Sequence, residues 1–345
     1  MSLQDFCRGI PKVELHCHLY GTICKETLTE LNERAGRPFT LRQVDGFYIR
    51  GDKPVGVLSI FRGLESQLIT SARDLYRITC EYLERCKLHN VVYSEFFWNP
   101  TGTVLDAKIP FQDAQDAILK AVDEIEKSCG VVGRLVCAID REASPEKAEM
   151  MLDWMLQYPA AKTIGIGIDY RETGHPPHLF AETFKKAKQN GYKLTAHAGE
   201  FGEPWNNVDF VLNDLQVDRI DHGYTVIDNP ALVQQCLDEN VIFTVVPTNS
   251  YYLRTLDPAE WAQKHPIRKM VQLGLKVHPN TDDPAFHLVN PTTAWTMMVE
   301  CFGCTIDDLG RFCQNGIEGA WVDSETKQKW RRDWLKYFGP ADNPF

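Results

Sequence analysis

Histidines and acids recur in this chain at the ends of apolar, strand-like segments. The first such segment is Glu14-Leu15-His16-Cys17-His18-Leu19. Side chains on a strand repeat every two residues, so His16 and His18 project to one side, about 6 to 7 Å apart. Imidazole ligates zinc, iron, copper or nickel, and two on one face can grip a single ion. Three more runs end alike: Thr195-Ala-His197-Ala-Gly199-Glu200, Asp221-His222-Gly223 and Asn280-Thr-Asp282-Asp283-Pro284. If these ends meet, His16, His18, His197 and Asp282 make a three-imidazole, one-carboxylate set. That set suits zinc and leaves a place for water. A divalent ion lowers the pKa of its water toward about 7. His222 can then orient or deprotonate the water, and Glu200, three residues past His197, can give a proton to a substrate. Gly199 would let the backbone come close to a flat ligand.

Each residue taken singly has a plainer reading. A lone histidine in a strand is more often a satisfied core residue. Asp282 and Asp283 could be turn residues ahead of Pro284. His278 sits four residues before Asp282 and could face the same interior. His175 is the one other histidine expected near the site; His89, His178, His265 and His287 fall in loops or at helix ends. What sets these residues apart is that such types recur at the ends of four strand patterns.

What could bring those ends together is an alternation of strands and helices. Strand patterns cover residues 12–19, 90–98, 133–139, 163–168, 193–196, 219–221, 241–246 and 275–279. They are nearly continuous apolar runs, as expected for strands buried on both faces. Helical patterns cover 25–34, 64–87, 111–128, 145–156, 177–190, 205–215, 230–239 and 258–273, and a helical tail 291–334 packs outside. Residues 37–61 read as irregular and long enough to form a lid or pocket wall. Eight βα units close into a (β/α)8 TIM barrel with extra helices, whose active site lies at the C-terminal ends of the strands. One domain over residues 1–345 is the expectation. An open doubly wound sheet is the alternative, but no Gly-x-Gly-x-x-Gly follows any strand.

A length of 345 residues suits such a barrel. The net charge of −10 argues against nucleic acid as the main partner. No run of about 18 apolar residues spans a membrane, and Met1 to Arg8 lacks the apolar core of a signal peptide. The eleven cysteines are an odd number without zinc-ribbon spacing, so reduced thiols and a cytoplasmic location are expected.

Pro11-Lys-Val-Glu-Leu-His16-x-His18-Leu, then His197-Ala-Gly-Glu200, Arg219-Ile-Asp-His222-Gly and Asn280-Thr-Asp282-Asp283-Pro resemble the motifs of the adenosine and adenine deaminases of the amidohydrolase superfamily. The resemblance runs in the same order over nearly the whole chain. It implies a zinc-dependent barrel, one Zn2+ per chain, that hydrolyses the 6-amino group of a purine and releases ammonia. It implies zinc on His16, His18, His197 and Asp282, a proton from Glu200 to N1, help from His222 to the attacking hydroxide, and Asp283 at N7. Two-metal relatives carry a bridging Lys or Glu at the end of strand four; here Ile164-Gly-Ile-Gly-Ile168 leads to Asp169, so one metal is expected.

Two positions depart from the adenosine pattern. Tyr20 stands where an acid would contact the ribose 5′-hydroxyl. Gly165-Ile-Gly-Ile-Asp169-Tyr-Arg171-Glu172-Thr-Gly-His-Pro-Pro177 is more similar to the adenine branch, with Glu172 by the N3 and N9 edge. The expected substrate is therefore a free or modified 6-aminopurine rather than adenosine, contacted by Tyr20, Asp169, Glu172 and Asp283, with Arg171 available to an anionic substituent. Another amino-heterocycle and a catalytically silent purine-binding barrel remain as alternatives. A deaminase of the cytidine type needs His-x-Glu with Pro-Cys-x-x-Cys. Neither is present, since no Pro precedes Cys301.

Overall fold

The computed structural model describes residues 2–49 and 57–339. Eight strands follow one another in chain order: β1 (Lys12–Glu14), β2 (Val91–Trp98), β3 (Val132–Asp140), β4 (Thr163–Asp169), β5 (Lys193–Ala198), β6 (Arg219–His222), β7 (Ile242–Val245) and β8 (Lys276–Pro279). Each pairs in parallel with the next. Parallel neighbours require a crossover, and helices supply it, burying faces such as Phe111, Ala114, Ile118, Val122 and Ile125 of helix Phe111–Cys129. The ring closes through two backbone bonds: His18 N–H donates to the Asp282 carbonyl at 2.8 Å and Asp282 N–H to the His16 carbonyl at 3.0 Å. The architecture is the expected (β/α)8 barrel.

β4 shows how the sequence makes room inside. Its Ile-Gly-Ile-Gly-Ile alternation gives one face isoleucine and the other glycine. A Cβ on Gly167 would lie 2.9 Å from the Phe97 ring. Phe97, Val136 and Ala138 form a small cluster of their own, with Trp321 packed against it. Phe97 ends up under the catalytic face, against the histidines described below.

Several elements differ from the sequence expectation for identifiable reasons. β1 is short because the Leu15 N–H donates to the Asn280 side chain at 2.9 Å instead of to a neighbouring strand. Beyond it only single bridges form, Cys17 with Asp282 and His18 with Phe97. The segment 37–61 is not wholly irregular: it holds helices Leu41–Phe47 and Val57–Gly63, the first opened by a Thr40/Gln43 capping box. Residues 50–56 of that segment lie outside the described residues. The long helix expected over 64–87 is a π-helical turn, Leu64–Leu68, then a new helix, Ala72–Leu88, restarted by the Ser71/Asp74 capping box. Proline splits 258–273 into Trp261–Lys264 and Pro266–Gln272. The tail is three helices, Pro291–Glu300, Ile306–Gly319 and Ser324–Trp334. Among the described residues no helix is long and apolar enough to cross a membrane, and all eleven cysteines are free thiols.

Candidate active site and metal centre

His16 and His18 follow β1, His197 lies in β5 and Asp282 follows β8. The barrel brings all four together, buried, with one ligand atom from each lying within 4.8 Å of every other. His18 Nε2 stands 3.1 Å from His197 Nε2. Asp282 Oδ1 is 3.3 Å from His18 Nε2 and 3.6 Å from His16 Nε2. Ligand atoms about 2.0–2.1 Å from a tetrahedral zinc would stand roughly 3.3 Å apart, so the spacing fits one ion.

The far sides of the rings are also engaged. Asp221 presents Oδ2 to His197 Nδ1 at 3.2 Å and Oδ1 to His16 Nδ1 at 3.8 Å. Asp169 presents Oδ2 to His18 Nδ1 at 3.3 Å. The Nε2 of His16 is buried with no hydrogen-bond partner of its own. Carboxylates on Nδ1 and converging Nε2 atoms are how ligand imidazoles are oriented. The donors present therefore fit a metal ion.

Acid and base groups sit beside it. His222 is buried at the end of β6, and its Nε2 is 3.5 Å from Glu200 Oε2. Burial, with His16 and His197 alongside, holds the His222 imidazole well below its ordinary range. Burial pushes the Glu200 carboxyl well above its own, and the nearby Asp282 charge adds to this. Burial thus favours the uncharged form of both groups. Asn249, past β7, donates from Nδ2 to Glu200 Oε1 at 2.9 Å, while Oε2 faces His222. His222 (φ 65°) and Asp282 (φ 62°) both adopt left-handed backbone, a strain of about 1–3 kcal/mol each that clusters at functional sites.

Above these groups opens a pocket of about 490 Å³ lined by His18, His197, Glu200, His222, Asp282 and Asp283, with Asp169, Phe61, Tyr170, Arg171 and His287 also in its wall. Leu58, Ser59 and Phe61 come from helix Val57–Gly63, so that part of the 37–61 segment does form a pocket wall.

Two residues expected at the substrate are not among those lining the pocket. Tyr20 is buried with its hydroxyl 2.7 Å from Thr103 Oγ1. Glu172 is buried with its carboxylate occupied by Gly199 N–H, Glu200 N–H and Asn207 Nδ2. Asp169 lines the pocket, but its carboxylate also accepts from Asn99 Nδ2 at 2.8 and 3.0 Å. Arg171 is at the pocket with Nε 3.4 Å from Glu142 Oε1. His278 is not a ligand: its two nitrogens face the carbonyls of Phe312 and Val13. His287, not His175, joins the pocket wall. The freedom of Gly199 serves packing rather than a ligand, since its φ is +65° and a Cβ there would meet Thr225 Oγ1 at 2.4 Å.

Sequence reasoning passed over Phe97, whose ring lies 5.0–5.6 Å from those of His16, His18 and His197. It also passed over Asn249, although the strand-end rule would have found it.

Comparison with known proteins places these features. The family model for adenosine deaminase matches residues 11–335. An adenine deaminase of Pseudomonas entomophila is 32% identical over 326 residues, 93% of this chain and 100% of that protein. The crystal structure of an amidohydrolase from Burkholderia ambifaria with bound zinc is 51% identical and covers 98% of this chain and 93% of its own, with a TM-score of 0.96. The adenine deaminase structure from Arthrobacter aurescens is 26% identical, covering 96% and 98%, with a TM-score of 0.85. The motif order, the barrel and these matches together establish that the chain belongs to the adenosine deaminase family.

Proposed function

We propose that this chain is a hydrolytic deaminase of 6-aminopurines that uses one zinc ion per chain. Water adds at C6, the 6-amino group leaves as ammonia, and a 6-oxopurine results. One observation carries the reading: a three-histidine, one-aspartate cluster lies beside a buried carboxyl, Glu200, and a buried imidazole, His222, that face each other at 3.5 Å. Zinc held by His16, His18, His197 and Asp282 supplies Lewis acidity and lowers the pKa of water.

The remaining work falls to the protein. Glu200 Oε2 delivers its proton to ring N1, which makes C6 electron-poor as the nucleophile arrives. His222 Nε2 takes the proton lost by water and returns it to the departing amine, which leaves as ammonia, while the emptied Glu200 carboxylate takes up the C6 hydroxyl proton as the 6-oxo group forms. Asp283, in the pocket wall, is assigned to N7 of the ring. Phe97 backs the three histidines and keeps water from behind them.

Free and modified bases are placed ahead of adenosine. The relatives named adenine deaminase support this order. Tyr20 and Glu172, which suggested it in the sequence, are both turned to other partners. A pocket of about 490 Å³ lies within the range that holds drug-sized ligands, so it leaves room for a substituted purine. The test is ammonia release from adenine, adenosine, AMP, N6-substituted adenines, guanine and pterins, with metal content read on the same sample. Ammonia from a 6-aminopurine at about one zinc per chain supports the reading. Silence across the 6-aminopurines from a metal-loaded sample overturns it.

A further inference from the structure

We infer that Glu172 and Arg141 are positioning residues that grip the turn from His197 to Glu200 from its two ends and thereby hold the proton donor in register with the pocket. This rests on the proposed role of Glu200. Arg141 follows β3 and is fully buried. Its Nη1 donates to the His197 carbonyl and its Nε to the His175 carbonyl, both at 2.8 Å. Glu172 comes from the loop after β4 and is 1% exposed. Its Oε1 accepts from Gly199 N–H at 2.9 Å and from Asn207 Nδ2 at 2.8 Å; its Oε2 accepts from Glu200 N–H at 2.9 Å. A guanidinium thus holds the carbonyl at the start of the turn, and a carboxylate holds the two amides at its end.

The turn needs an outside hold. Gly199 has φ +65°, a conformation that glycine tolerates but does not prefer over its alternatives. Nothing intrinsic to Ala198-Gly199-Glu200 keeps it there. Hydrogen bonds to a charged acceptor are roughly twice as strong as neutral ones, and Glu172 makes two to consecutive amides. The two buried charges offset each other across the turn, since Glu172 is the leading favourable charge on Arg141. Asn207, in helix Asn206–Asn213, ties the same carboxylate to the next crossover. Because a misplacement of about 1 Å can cost roughly 10²-fold in rate, a hold on the Glu200 backbone bears directly on turnover while leaving the substrate contacts alone.

The test uses Glu172→Gln in the full-length, metal-loaded protein. The glutamine amide can keep one acceptor but sets an NH2 against an N–H donor. The expected result is a kcat lower by about tenfold or more, KM unchanged within about threefold, full metal content, and the same ranking of free against 9-substituted bases. Backbone amide exchange in the peptide spanning 198–201 should speed up while the rest of the barrel is unchanged. In a Glu200→Gln background the same substitution should add less than about twofold, because coupled residues are non-additive.

Undisturbed exchange overturns the proposal. So does an equal loss in both backgrounds, or a changed substrate ranking, which would mean that Glu172 touches the substrate. If Glu172→Gln does not fold, Arg141→Lys, which can reach only one of the two carbonyls, carries the same expectations. The exchange readout decides the hold even if no 6-aminopurine is turned over, so failure of this inference and failure of the proposed function remain distinguishable.

Discussion

Asp221 Oδ2 lies 3.2 Å from His197 Nδ1, and the same carboxylate faces His16 Nδ1 with its other oxygen. Thr195 and Thr244 hydroxyls donate to its two oxygens at 2.9 and 2.6 Å. Burial opposes its charge, yet His16 and His197 hold the carboxyl well below its usual range. Asp221 therefore faces the His197 ring directly and reaches the His16 ring through Thr244, whose carbonyl and hydroxyl both lie 3.2 Å from His16 Nδ1. Asp221→Asn should weaken metal affinity by about 10–100-fold, with activity recovering in excess metal. Competition against a chelator measures it. An unchanged affinity would reject the orienting role.

His197→Ala should lose metal and activity together, because it removes a ligand atom that sits 3.1 Å from His18 Nε2. Metal analysis after gel filtration decides the matter. Stoichiometric metal in the variant would mean that the ligand set is misassigned.

Glu200→Gln should keep its metal and lose about 10²–10⁴ in kcat, the usual worth of proton delivery. The sign of the pH effect follows from the raised pKa of Glu200. The acid form is the active one, so wild-type activity should fall as pH rises and this proton is lost, on a limb lying above the usual carboxylate range. The variant should lack that limb. Wild-type-like turnover by Glu200→Gln would remove the residue from the mechanism.

Glu65, behind the pocket-wall residue Tyr170, tests the electrostatics there. It is 1% exposed, accepts from the Tyr170 hydroxyl at 3.1 Å, and burial pushes its carboxyl up to about 8. The unfolded chain releases this proton near about 4.3. Between these values the folded state holds a proton that the unfolded state does not, so stability falls as pH rises, by at most about 1.4 kcal/mol per pH unit. Glu65→Gln should flatten that slope between about pH 5 and 8. Lys12, buried and lowered to about 7, contributes the opposite trend above neutrality, so the comparison is variant against wild type in denaturant titrations. Parallel curves would show that Glu65 ionises freely.

Tyr20→Phe removes a hydroxyl that meets Thr103 and leaves the pocket wall intact. The expectation is about 0.5–1.5 kcal/mol of lost stability with no change in the order of substrates. A reordering of free bases and nucleosides would restore Tyr20 to the binding site.

The barrel and the convergence of His16, His18, His197 and Asp282 were legible because both are written locally. Strand patterns recur in order, and each ligand lies at or just beyond a strand end, as His197 and Asp282 do. What was illegible depends on which way a side chain turns. Glu172 reads as a pocket acid in the motif, but the chain folds it back onto Gly199 and Glu200. Phe96 and Phe97 are adjacent and alike in sequence, yet alternation sends them to different clusters. His287 lies four residues past Asp283, and only a helical turn, His287 N–H to Asp283 carbonyl at 2.7 Å, brings it back to the pocket.

The seam between the first and last strands has a consequence for the lifetime of the protein. That seam is short of ladder bonds and is joined by His16, His18 and Asp282, three of the four proposed metal ligands. An ion bound there acts as a rivet between the two edges of a rolled sheet. At a free concentration a hundred times its Kd, such a ligand adds about 2.7 kcal/mol to folding stability. Starved of metal, the barrel should open first along this line, where proteases would find residues 15–19 and 280–284 before any other part of the sheet.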